Sequence, residues 1–282
     1  MKVKAYAKIN LALKVLGKRN DGFHNLEMIM VNVGVYDILK FKKNKDVIVL
    51  TDKPVCKMED NIVYKTIMLI KEKYNIKDGV EVKVFKRIPD GGGMGGGSSD
   101  AACTIKALNK MWNLNMTRDD MFSLAEKLGS DVFFFIDNRL SLVKGRGEIV
   151  EPIDIKLNSD ILLCFPNMKC STKYIFENHM VKHNRNDIDD VYKNLNKDDY
   201  YKYLFNNLEE TVCSLYPEYI LNEIKTDVES EFDCKVMMSG SGSSFFVIGK
   251  NIKNIYKHVR KKHKDLVIIK NKTISYCKSD IK

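Results

Sequence analysis

Apolar and polar residues alternate from the start of the chain, where Lys4-Ala5-Tyr6-Ala7-Lys8-Ile9-Asn10-Leu11 has a period of two. That period puts successive side chains on opposite faces of a strand, so residues 3–13 are predicted to form one. Residues 28–35 and 38–42 are predicted as two further strands, separated from the first by a polar turn between Gly17 and Gly22. The period then lengthens. Ile62, Val63, Thr66, Ile67, Leu69 and Ile70 recur at helical spacing, which predicts a helix over 61–74 with Asp60 as its N-cap. Residues 80–84 return to a period of two and predict a strand. After it a helix is expected to start near Ser98 and to bury Ala101, Ile105, Leu108 and Trp112. Another, over 118–128, opens with Thr117 three residues before Asp120, a capping-box start, carries Met121, Leu124, Ala125 and Leu128 on one face, and stops at Gly129.

Beyond Pro152 the pattern restarts with a strand at 161–165, a polar stretch over 182–203 that reads as surface helix and loop, and a helix near 207–216. Residues 236–238 then lead into the loop Ser239-Gly240-Ser241-Gly242-Ser243-Ser244 and an apolar strand at 245–248. No segment repeats at solenoid periods. A length of 282 residues corresponds to roughly two domains, predicted as 1–155 and 156–282 with a cleft between them. Five prolines and 16 glycines exclude collagen-like and low-complexity classes. The apolar run at 132–136 is far short of the ~20 residues that cross a bilayer, and no secretory leader opens the chain, so a cytoplasmic protein without a membrane partner is expected. Seven dispersed cysteines without a C-x-x-C pair read as free thiols. His179 and His183 have helical spacing but no Glu between them, which favours a solvated surface over a zinc site. The net charge of +10 fits either a nucleic acid or an anionic small molecule. Its basic runs, at 40–45 and 260–264, are interrupted and far apart and read as solvated faces.

Candidate chemistry is concentrated in Asp90-Gly91-Gly92-Gly93-Met94-Gly95-Gly96-Gly97-Ser98-Ser99-Asp100. Six glycines between a strand and a helix let backbone N–H groups converge on one point with no Cβ in the way, and the helix start adds the positive end of its dipole. Such a concavity binds phosphate, with the Ser98 and Ser99 hydroxyls as further donors or a route to a metal ion. The dinucleotide-fold pattern is met trivially by any glycine run, and the acidic residue it needs at a second strand end ~20 positions on is replaced by a helix start at Thr117. A Walker A loop needs Lys-Ser/Thr after its last glycine, and none follows. The H-R-D and D-F-G signatures of protein kinases are absent.

These residues resemble the GHMP small-molecule kinases, whose loop has the form Pro-x-Gly-x-Gly-Leu-Gly-x-Gly-Ser-Ser. Three separated segments carry the resemblance: residues 89–102, Lys8-Ile9-Asn10-Leu11, and Ser239-Gly240-Ser241-Gly242. Asp21-Gly22-Phe23-His24, Leu128-Gly129-Ser130-Asp131-Val132 and Gly145-Arg146-Gly147-Glu148 are similar to the branch acting on a cytidine diphosphate-linked methylerythritol, in matching order over about residues 4–250. Met94 replaces the usual Leu, and Phe23 replaces the usual Tyr, keeping the aromatic face and losing its hydroxyl.

The resemblance implies an α+β fold of two domains, an ATP-binding one like the second domain of ribosomal protein S5 and a ferredoxin-like one that binds substrate. It implies transfer of the ATP γ-phosphoryl group to the substrate's tertiary 2-hydroxyl, with Mg²⁺ held largely by phosphates and water. ATP would be cradled by Gly91, Gly93, Gly95, Gly96, Gly97, Ser98 and Ser99, with Asn61 and Lys86 near the adenine. From spacing alone Asp131 reads as a turn or capping residue and Lys8 as a solvent-facing strand residue. The resemblance makes Asp131 the base and Lys8 its neighbour, with Asn10 orienting the hydroxyl. Phe23 and Phe176 would cover the two faces of the cytosine, and His24 would donate to its N3. A small-molecule partner, no nucleic acid, and a monomer or weak homodimer are expected. Two other readings compete: a superfamily kinase acting on mevalonate-like or amino-alcohol substrates, for which the Phe23-His24 motif has no use, and a basic nucleic-acid-binding protein.

Overall fold

A computed structural model describes residues 1–53, 56–181 and 187–277. Its strands are β1 (Lys2–Lys18), β2 (His24–Asn44), β3 (Val47–Thr51), β4 (Gly79–Phe85), β5 (Ser141–Gly145), β6 (Ile149–Pro152), β7 (Asp160–Phe165), β8 (Phe205–Asn206), β9 (Cys234–Met238), β10 (Phe245–Gly249) and β11 (Val267–Ile274). The helices are α1 (Ile62–Tyr74), α2 (Gly96–Met111), α3 (Arg118–Leu128), α4 (Ser130–Asp137), α5 (Thr172–Asn178), α6 (Ile188–Asn194), α7 (Glu209–Leu215), α8 (Leu221–Glu231) and α9 (Ile252–Lys262). The mixture is the α+β class read from the sequence. One continuous sheet runs β3-β4-β2-β11-β7-β10-β9, with β1 added on β2 and β5 and β6 on its flank. The last strand ties the two halves of the chain together: β11 pairs with β2 through Thr273 and Ile274 and with β7 along six residues.

The two strands predicted at 28–35 and 38–42 are a single 21-residue strand. It continues because β1 follows it from His24 to Lys40, with a bulge absorbed where Tyr6 faces Tyr36 and Ala7 faces Val33, and β4 pairs with it beyond. Gly34, inside the bulge, gives its N–H to Asn271 at 2.5 Å, and a Cβ there would stand 2.8 Å from that Asn oxygen.

Alternation along β1 and β2 divides the interior into two apolar clusters. One packs Leu39, Ile67, Ile105, Leu108 and Phe134 between the sheet and α1 to α4, and continues into Ile224, Val236 and Ile255. The other gathers Ile9, Val31, Ile161, Leu163, Ile188 and Phe246.

Helix boundaries differ from expectation at three places. Asn61, rather than Asp60, caps α1, because its side chain accepts the Val63 N–H at 2.9 Å while Asp60 closes a short 3-10 turn. The helix after the glycine loop begins at Gly96, two residues before Ser98, and Trp112 is its half-buried C-cap. Helix α4 has no counterpart in the sequence reading. Its residues Val132 to Ile136 are all buried, so they carry no polar face and no period. The capping box of α3 is present as predicted, with Thr117 and Asp120 bonded reciprocally. His179 follows α5, while His183 lies outside the described residues. Among the described residues no helix is long and apolar enough to cross a membrane.

Candidate active site

The glycine loop leaves β4 and is drawn onto β1 where the Lys8 N–H donates to the Met94 carbonyl at 3.1 Å. Two of its glycines are required by the protein itself. A Cβ on Gly93, at φ +70°, would stand 2.2 Å from the Ser239 carbonyl oxygen, and one on Gly95, at φ +69°, would stand 2.7 Å from the Phe135 ring. A second loop, between β9 and β10, closes over the first. Ser239 Oγ donates to the Gly93 carbonyl at 3.1 Å, and the Ser244 N–H reaches the Gly92 carbonyl at 3.3 Å. Asn206 fixes this second loop by donating to the carbonyls of Met238 and Gly240 while accepting the Leu208 N–H. No sequence signal singled out Asn206, since a polar residue in a two-residue strand has no pattern.

The first turn of α2 leaves the amides of Gly96, Gly97 and Ser98 without intrahelical acceptors, the arrangement that receives an anion. Ser99 is different. Its N–H bonds to the Gly95 carbonyl and its hydroxyl to the Tyr6 carbonyl, so both donors are used inside the protein and the residue fastens α2 to β1. Gly91 is exposed at the loop's outer edge. Lys86 Nζ lies 3.6 Å from where a Cβ on Gly96 would be, and Ile62, at the start of α1, lies 3.7 Å from the same position on Gly97. Lys86 and Asn61 therefore flank the first turn of α2, Asn61 with its oxygen already engaged as the cap of α1 and Lys86 bonded to two carboxylates.

Where the two glycine loops meet, Lys8 is buried on β1, with Nζ 2.7 Å from Asn10 Oδ1 and 3.6 Å from Asp131 Oδ2. Asn10 in turn donates to Met28 Sδ at 3.3 Å. Asp131 is the second residue of α4, not a residue of the turn after α3, because Gly129 at φ +145° ends one helix and begins the next. Its carboxylate is thus at the positive end of a helix and about a third exposed. It opens into a cavity of about 710 Å³ lined by Lys8, Asn10, Gly93, Gly95 and Gly240 on one side and by Phe23, His24, Arg146, Thr172 and Phe176 on the other.

At that far end Phe176 rests against His24, ring centroids 5.1 Å apart and tilted by 32°. The Arg146 guanidinium covers one face of Phe23 at 5.2 Å, and the ring is half exposed. Phe23, His24 and Phe176 thus line the same end of the cavity. Burial, followed by the nearby Lys18 charge, holds His24 below its ordinary pKa of 6.5, so at neutral pH its ring offers one N–H and one lone pair.

A family model described as GHMP kinases N terminal domain matches residues 61–139. The chain is 40% identical over 273 residues to the 4-diphosphocytidyl-2-C-methyl-D-erythritol kinase of Thermoanaerobacter pseudethanolicus, covering 94% of this chain and 92% of that protein. It is 36% identical to the protein of the same name from Clostridium beijerinckii, over 95% of this chain and 99% of the relative. A crystal structure of a 4-(cytidine 5'-diphospho)-2C-methyl-D-erythritol kinase superposes with a TM-score of 0.81 at 26% identity, covering 97% and 99% of the two chains. The homoserine kinase from Cytophaga hutchinsonii shares the fold at a TM-score of 0.74 and 17% identity, over 98% and 95%.

Proposed function

The chain belongs to the 4-diphosphocytidyl-2-C-methyl-D-erythritol kinase family of GHMP kinases, and we propose that Asp131 and Lys8 carry out its phosphoryl transfer. The enzyme phosphorylates the 2-hydroxyl of 4-diphosphocytidyl-2-C-methyl-D-erythritol in the non-mevalonate isoprenoid pathway. The observation that carries the residue assignment is the Lys8–Asp131 pair, 3.6 Å apart at the junction of both glycine loops. ATP lies with its phosphates over the first turn of α2, and the substrate hydroxyl enters between Asn10 and Asp131. Asp131 takes the hydroxyl proton as the oxygen bonds to the γ-phosphorus and the bond to the ADP oxygen breaks. Lys8 stabilises the negative charge that grows on the transferring oxygens. Mg²⁺ accompanies the nucleotide. Among the described residues Asp227, Glu231 and His258, on α8 and α9, bring three potential ligand side chains together, and at the cradle the ion would be held chiefly by the ATP phosphates and water.

The base end of the substrate meets Phe23, His24 and Phe176. Residues 1–155 form the part that carries the ATP cradle and 156–282 the second, substrate-binding part, and the cavity is lined from both: Gly93, Gly95, Phe23 and His24 from the first, Thr172, Phe176 and Ser241 from the second. The enzyme works in the cytoplasm as a monomer or weak homodimer. An ADP-release assay with the cytidine diphosphate substrate, mevalonate and homoserine tests the assignment. Release with the cytidylyl substrate alone is expected, and equal release with the small alcohols would refute it.

A further inference from the structure

Three buried charges lie beneath the nucleotide loop. Asp37, on β2, is fully buried and accepts the backbone N–H groups of Arg87 and of Ile88, the latter at 2.8 Å. The Lys86 ammonium reaches Asp37 Oδ2 at 2.5 Å and Asp100 Oδ2 at 2.8 Å. Asp100 belongs to α2, is also buried, and its other oxygen has no hydrogen-bond partner. One ammonium thus joins the exit of β4, through Asp37, to the helix that receives the phosphates, through Asp100. Asp52 adds a second hold on the same exit, accepting the Lys86 N–H at 2.8 Å and pairing with Arg87. The loop of residues 88–95 is therefore strung between two ends whose separation this cluster sets, and near its far end it is fastened to β1 through Met94.

Two carboxylates for one ammonium is a poor arrangement for stability alone. Each ion loses its water, and the second carboxylate lacks a counter-charge of its own. Burial, partly offset by Lys86, pushes Asp100 up to about 7. Lys86 is pulled down by burial, but its two carboxylates outweigh that and leave it raised. Isolated packing would be served as well by apolar residues of similar volume.

We propose that Asp37 and Asp100 are positioning residues for phosphoryl transfer: they hold the Lys86 ammonium against Gly96 and so fix the aim of the loop and helix amides at the ATP phosphates. The proposal rests on the cradle being the ATP site. It assigns neither carboxylate a contact with substrate, so their loss acts on nucleotide binding and leaves the Lys8–Asp131 chemistry in place.

The test compares Asp37→Asn and Asp100→Asn with wild type, measuring KM for ATP, KM for the cytidylyl substrate and kcat at saturation, with melting curves to establish folding. An ion pair weakened to an ammonium–amide contact at each position predicts a KM for ATP raised about tenfold. The cytidylyl KM and the saturated kcat should stay within about threefold. Should Asp37→Asn fail to fold, Asp100→Asn decides, since Lys86 then keeps Asp37. A folded variant with wild-type KM for ATP, or one that loses kcat and both KM values together, overturns the positioning role. Wild-type protein that neither binds ATP nor turns over would overturn the kinase assignment as well, and is recognised by that control alone.

Discussion

Gly97→Ala separates what ATP demands of the cradle from what the protein demands. A Cβ at this position meets a single protein atom, Ile62 Cγ2, at 3.7 Å, which is ordinary contact. Its backbone is helical, in the first turn of α2, and it is exposed. Alanine there restricts the unfolded chain and should stabilise the protein by about 0.4–1 kcal/mol. For a chain of this size that corresponds to a rise in melting temperature of about 1–4 °C. Phosphate is another matter. An oxygen accepting a backbone N–H sits about 2.9 Å from the nitrogen, and a neighbouring methyl group competes for that space. An ATP affinity lower by about tenfold or more, roughly 1.4 kcal/mol, is expected.

Gly95→Ala is the contrasting variant. It must hold φ near +69° and push against Phe135, so it should lose stability and ATP affinity together. Calorimetry with ATP and with the cytidylyl substrate, beside melting curves without ligand, distinguishes the two. Gly97→Ala should melt higher, bind ATP more weakly and bind the cytidylyl substrate unchanged. Undiminished ATP affinity in that variant would refute the idea that phosphates approach the α2 amides at this residue.

Asp131→Asn, nearly isosteric, should lower kcat by ~10²–10⁴ with both ligands still bound. Turnover near wild type would remove Asp131 as the base. His24→Ala should shrink the preference for cytidine over uridine substrate in kcat/KM, because N3 of cytosine accepts the hydrogen bond that N3 of uracil cannot. An unchanged preference would move base selection to another residue. Asp100, whose folded pKa of about 7 lies above the ordinary 3.8, contributes stability that is complete below about pH 4 and lost as pH rises toward 7. The melting temperature of wild type relative to Asp100→Asn should fall as pH rises across that window, and parallel curves for the two would contradict a raised Asp100.

What could be read from the sequence depended on whether a residue's constraint is local. The cradle was legible because Gly93 and Gly95 are demanded by a turn that only glycine makes, and α3 because Thr117 and Asp120 cap it within three residues. Lys8 and Asn10 were legible as one face of a strand, but the same alternation fits a solvated face. What turns them inward is α4 and the loop at 239–244, more than a hundred residues away. Helix α4 was hidden because a segment buried on every side has no period, though it carries Asp131. Asp37 and Asp100 were hidden for the opposite reason. Each is a single charge in an otherwise regular element, indistinguishable from a surface residue until Lys86, 49 and 14 positions away, is brought between them. A motif therefore marks the backbone cradle and even spans Asp100, yet gives no sign of the pairing through Lys86 that joins Asp100 to Asp37. In this enzyme the aiming groups are the ones paired across the fold, on β2, after β4 and on α2, so they are the residues whose substitution should change KM for ATP without altering the chemistry at Asp131.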